Sequence, residues 1–167
     1  MAKIMGTELK KFRLGYLTSN FTRIGRFTPE ADPIGFGKLL KYGSSNGHYE
    51  VTDGTETDAT VIAGISVYPQ ARVGTKYPGG VDVIPFGEYG DALQAGDIVV
   101  ELSALTEDPA DAVEGAKVYL AKDGKVTPDA TAGDPAASNL LLPQLIFLGL
   151  TDVDDEGNDI VAVRKLY

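Results

Sequence analysis

Apolar and polar positions alternate over short runs along most of this chain, and turn residues separate the runs. Alternation of period two marks half-buried strands, because successive side chains leave a strand on opposite faces. From Gly35 onward the pattern predicts strands near Phe36–Tyr42, at His48–Val51 and at Thr60–Tyr68, the last stopped by Pro69. A further alternating run starts at Val81. The turn-like LQAGD then leads into IVVEL, an almost continuous apolar run that fits a buried strand. EDPADAVEG reads as a loop with about one helical turn. In AKVYLAKDGKVTP, two alternating runs flank Asp123-Gly124, a pair that favours a type I′ hairpin turn. LIFLGLTDV and DIVAVRKLY close the chain as a last pair of strands.

No segment of helical length carries a 3.6-residue apolar stripe, and no internal repeat with matching residues is present. Short strands at close spacing predict an all-β fold, a small β-barrel or sandwich of antiparallel strands. Residues 1–34 are less periodic. Phe12, Leu14, Tyr16 and Leu17 fit a short strand, Phe21, Ile24 and Phe27 are scattered, and TPEADP breaks the chain with two prolines. Two readings stand: an extended N-terminal arm over residues 1–34 before a body over 35–167, or an ordinary first strand and loop of one domain.

Charge adds to the first reading. Residues 1–41 hold eight Lys/Arg against three acids, a balance of +5, while residues 42–167 hold seven against 21, a balance of −14, giving the net −9. A basic front and an acidic body imply two surfaces with different tasks. The acidic body disfavours binding to a phosphate backbone, so no direct nucleic-acid contact is expected there. The longest apolar stretch, LLLPQLIFLGL, is too short to span a membrane and contains Pro143. The start lacks the apolar run of a signal peptide, so synthesis in the cytoplasm is expected.

Chemistry is sparse. Without cysteine there is no thiolate metal site and no Cys nucleophile. The single histidine, His48, follows Ser44-Ser45-Asn46-Gly47 in a turn without the nucleophile-elbow pattern, so a surface histidine is expected. GTKYPGG lacks the spacing of a phosphate loop. Acids crowd into turns, and the absence of tryptophan argues against a sugar platform. Asp152, Asp154, Glu156 and Gly157 fit positions 1, 3, 5 and 6 of a calcium loop, but position 12 is Val163 instead of a bidentate carboxylate. A charged hairpin tip is expected there. No cofactor or metal is expected.

The basic N-terminus, the "GD-IVVEL … EGAKVYLAKDGKVTP" unit and the C-terminal hairpin together resemble tailed-bacteriophage capsid decoration, or cement, proteins. The carriers are Gly96–Val100, Gly115–Leu120 and the Asp123-Gly124 turn. The resemblance implies a non-enzymatic structural protein on the outer capsid surface of the virion. Such a protein bridges major capsid protein subunits at local threefold or twofold positions, with self-association as trimer or dimer. The arm would make the contacts, with Lys10, Lys11, Arg13, Arg23 and Arg26 for charge and Phe12, Tyr16, Phe21 and Phe27 as aromatic anchors. The alternatives are another phage structural β-protein (tail-tube, head-completion or baseplate component) and, with less support, a carbohydrate-binding domain.

Overall fold

The structure, a computed structural model, describes residues 14–15, 17–18, 22–68, 83–131, 138–154 and 156–166. Eleven strands are present among them: β1 (Arg23–Pro29), β2 (Ile34–Gly35), β3 (Leu39–Tyr42), β4 (His48–Val51), β5 (Ile62–Ser66), β6 (Val83–Ile84), β7 (Gly90–Glu101), β8 (Lys117–Leu120), β9 (Val126–Thr127), β10 (Leu140–Val153) and β11 (Asp159–Lys165). The described residues contain no α-helix, only short 3-10 turns at Ala59–Val61 and Pro109–Asp111. The Asp58 and Asp108 carboxylates cap these turns, accepting from the Thr60 and Ala110 N–H groups.

Nine strands form one sheet in the order β1-β4-β3-β5-β7-β11-β10-β8-β9. An additional β1–β7 pairing closes the first five into a barrel. Its interior is filled by Phe27, Leu40, Tyr49, Ala63 and Ala92, together with Ile34, Phe36 and Ile84. Phe27 and Tyr49 stack with their centroids 5.2 Å apart. Closure removes exposed sheet edges wherever the ladder is complete.

β7 joins the two halves. Its first part pairs with β1 and β5, and its second part, from Gly96, pairs with β11. Gly96, at the point of transfer, has a φ of 127°. Strands β11, β10, β8 and β9, with the second part of β7, build a second layer that packs on the barrel, and β2 and β6 form a separate two-stranded sheet. Leu39, Ile65 and Leu93 share a rung across β3, β5 and β7. They lie in a core with Ile98, Val100, Val118, Leu142, Phe147, Val161 and Val163. Pleat alternation explains the division: Ala92 faces the barrel interior and Leu93 faces the other layer.

Several expectations change in detail. LQAGD is part of β7, because a glycine at the transfer point tolerates a geometry that other residues resist. Between β8 and β9, the Gly124 N–H donates to the Ala121 oxygen at 3.0 Å, and the Ala121 N–H to the Lys125 oxygen at 2.8 Å. The central residues of the turn are therefore Lys122 and Asp123, with Gly124 (φ 77°) following, a three-residue loop in place of the expected type I′ pair. Residues 23–29 and 34, within the span of the expected arm, are paired into the sheets, in line with the reading of a first strand and loop of one domain. β1 pairs with β7 from Arg23 to Phe27 and buries Phe27 and Pro29, and Ile34 pairs with Ile84.

Candidate functional site

Among the described residues, Lys38, Lys41, Lys125 and Arg164 are held in ion pairs within the body. Glu101, its side chain 10% exposed, accepts from Lys38 at 3.0 Å and from Lys125, tying β3, β7 and the β8–β9 hairpin together. Burial pushes the Glu101 carboxyl up, but the hydrogen bonds from Lys125 and Lys38 outweigh it and hold the group below the ordinary range. Lys41 meets Glu56 at 3.0 Å and Asp53 at 3.3 Å. Lys41 and Asp53 line one side of a depression that Asp32, Ile34, Tyr49 and Glu50 complete. Arg164 grips the buried Asp97 with two bonds, Nε at 2.6 Å and Nη2 at 2.8 Å. This bidentate geometry fixes β11 against β7.

The N-terminal segment is clasped to the same strand. The Gly15 N–H donates to the Val99 oxygen at 2.9 Å, and the Gly15 oxygen accepts from the Tyr68 N–H at 2.9 Å. Leu17 bridges Ile98, and the Thr18 N–H donates to the Asp97 oxygen at 3.0 Å. Leu14 packs with Leu148 and Leu150 over Val99, Ile160 and Ala162. Gly15 and Gly37 meet backbone to backbone. A Cβ on Gly15 would lie 2.9 Å from the Gly37 nitrogen, and one on Gly37 would lie 2.8 Å from the Gly15 nitrogen. Both have positive φ, 79° and 69°, so only glycine fits this crossing without strain.

The sequence-derived contact residues divide into three groups. Lys10, Lys11, Phe12, Arg13, Tyr16 and Phe21 lie outside the described residues. Arg23 and Arg26 are exposed on β1 and make no ion pair among the described residues. Phe27 is 1% exposed and stacks on Tyr49 inside the barrel. Its place among the aromatic anchors is therefore corrected: burial of that ring stabilises this chain's own fold by about 2 kcal/mol.

Sequence reasoning did not single out three exposed side chains on β1 and the β6–β7 turn: Ile24, Phe86 and Tyr89. The Arg26 guanidinium lies 5.7 Å from the centroid of the Tyr89 ring. Tyr89 is 67% exposed, Phe86 at the tip of the β6–β7 turn 62%, and Ile24, two residues before Arg26 on β1, 43%. The signal that could have pointed to them is the PFGEY stretch, which sets Phe86 and Tyr89 around the turn glycine Gly87.

The other candidate residues make local contacts. The Ser44 hydroxyl donates to the Glu30 carboxylate, and His48 Nδ1 lies 3.6 Å from the other Glu30 oxygen. Serine and histidine thus meet the same carboxylate and not each other, so the nucleophile–base contact of a triad is missing. At the β10–β11 tip, Asp154 accepts from the N–H groups of Glu156 and Asn158 and from the Asn158 amide, while the Gly157 N–H donates to the Asp154 oxygen. Burial pushes the Asp154 carboxyl up, but these bonds prevail and hold it low. No cluster of potential metal ligands occurs among the described residues.

The fold defines a class: an all-β body built on a closed five-stranded barrel, with arginine and aromatic side chains exposed along β1 and the β6–β7 turn. The model of the structural cement protein family (E217 gp24/Pam3 gp6) matches residues 15–165, and the chain belongs to that family. Its role is that of a structural protein of a phage capsid. A chain from the solved capsid of Myoviridae phage XM1 has the same fold, with a TM-score of 0.59 and 18% identity, over 93% of this chain and 90% of that one. No curated protein matches.

Proposed function

We propose that this chain is a non-enzymatic cement protein that binds the outer surface of the capsid and bridges neighbouring major capsid protein subunits. The family match over residues 15–165 is the observation that carries the reading. The clasp at Gly15 supports it. Because Gly15 is fixed to Val99 and Tyr68, the preceding residues start from a set point on the body. Lys10, Lys11, Phe12 and Arg13 would supply contacts there, continued after the clasp by Tyr16, Phe21 and, on β1, Arg23 and Arg26. Arginine and aromatic side chains suit this, since they concentrate binding energy at interfaces. Self-association at a local threefold or twofold position adds avidity, because each weak contact repeats over many subunits.

Co-sedimentation with expanded shells that lack the protein tests the reading. The full chain is expected to pellet with the shells, and a variant lacking residues 2–13 is expected to bind at least tenfold more weakly. Absence of binding by the full chain would contradict the proposal. Equal binding by the truncated chain would remove the role given to the N-terminus.

A further inference from the structure

We propose that the outer edge of β1, from Arg23 to Arg26, accepts an extended acidic segment of the capsid protein as an added strand. The inference rests on the capsid-binding reading and names the element that would receive the partner. β1 pairs with β7 all along Arg23–Phe27, but with β4 only at Thr28 and Pro29. The barrel is therefore zipped at one end of β1. Among the described residues, the other end carries no ladder on its outer side.

The direction of the main-chain groups supports this. The Thr28 N–H donates to the Gly47 oxygen and the Glu30 N–H to the Tyr49 oxygen, both on the β4 side. Main-chain groups two residues apart in a strand point the same way, so those of Arg26 and Ile24 point along the same open edge. The irregularity between Arg23 and Ile24 does not disturb the alternation of β1. Their partners Ala95 and Leu93 are two apart, so the additional residue, Gln94, belongs to β7.

An unpaired edge is a template for another strand. This one is flanked by side chains that select the guest. Ile24 and Arg26 lie on one face, the guanidinium near the exposed Tyr89 ring, with Phe86 in the adjoining turn. Arg23 lies at the far end. The two cations stand out on a body whose residues 42–167 carry a net −14. Charge complementarity therefore favours a strand that places carboxylates against Arg23 and Arg26 and an apolar side chain against Ile24. A second copy of this chain is the competing occupant.

Shell co-sedimentation with full-length variants separates the outcomes. Ile24→Pro removes an N–H on the open edge and blocks strand addition, while the double variant Arg23→Glu, Arg26→Glu reverses the charge on exposed positions. Each is expected to weaken shell binding at least tenfold with an unchanged thermal midpoint. Lys122→Glu, on the β8–β9 hairpin, is expected to bind like wild type. Failure of the wild-type chain to bind shells would overturn the capsid reading itself. Wild-type binding that both edge variants match would overturn only the inference. Should Ile24→Pro misfold, the charge variant and an electron-microscopy map of decorated shells decide. A capsid-protein strand hydrogen-bonded to residues 24–26 is expected; an edge facing solvent, or one paired with a second copy, would overturn the inference.

Discussion

Gly15 has a φ of 79°, and an added methyl would lie 2.8 Å from the Tyr68 nitrogen and 2.9 Å from the Ser66 oxygen. Left-handed backbone costs an L-residue about 1 kcal/mol, and main-chain neighbours do not yield as a flexible side chain would. Gly15→Ala is expected to lower stability by about 2–3 kcal/mol in urea denaturation; an unchanged midpoint would show that the clasp does not hold the segment. Glu101 makes a second residue-scale case. Burial pushes its carboxyl up, and the bonds from Lys125 and Lys38 more than reverse that. A carboxyl depressed in the fold contributes stability that is present above its unfolded pKa and lost as pH falls through the folded one. The loss is expected below its ordinary value of 4.5. The lysines are 31% and 29% exposed, so solvent screening limits the contribution. Glu101→Gln should cost about 1–2 kcal/mol at pH 7 and less at pH 3. An equal cost at both values would contradict the ion-pair account.

At the scale of elements, the β10–β11 hairpin shows how the acidic tip contributes. Asp154 closes the turn through bonds to Glu156 and Asn158, so its carboxylate satisfies main-chain N–H groups of the loop. Asp154→Ala is expected to destabilise by about 1 kcal/mol, the usual effect of losing such a cap, with no change in stability on adding calcium to the wild type. Calcium-dependent stabilisation would restore the metal reading. This hairpin was legible in the sequence, as were β4 and the β8–β9 pair, because local alternation and turn residues specify them. β1 was not. Its sequence RIGRFTP buries only Phe27 and Pro29, so its alternation is weak, and its partners Gly90 and Asp91 are distant in the chain. β7 was shortened because Gly96-Asp97 spells a turn, although Asp97 is held by Arg164 and Gly96 sits within a continuous ladder. Phe27 looked like an anchor because an aromatic beside two arginines carries no sign of which face it occupies until the barrel is closed. The exposed Phe86, Tyr89 and Ile24 escaped notice for the same reason.

For the whole molecule, the boundary between N-terminal segment and body has consequences that can be measured. β1 completes the barrel by pairing with β7 and β4, and Phe27 fills its interior. A chain lacking residues 2–27 is expected to lose cooperative unfolding, while one lacking residues 2–13 keeps the clasp, β1 and a sharp transition by calorimetry. Similar melting of the two would show that β1 is dispensable. The all-β class followed from the sequence, but closure through β1–β7 did not, since it joins residues about 65 positions apart and contact order of that kind leaves no local pattern. The central claim is that this body attaches to the outside of a phage shell and links its subunits. Electron microscopy of expanded shells, with and without the added protein, tests it most directly. The account predicts density for the β-body on the outer surface, with its N-terminal region and β1 in contact with two capsid protein subunits. Shells that gain no external density at saturating protein would contradict it.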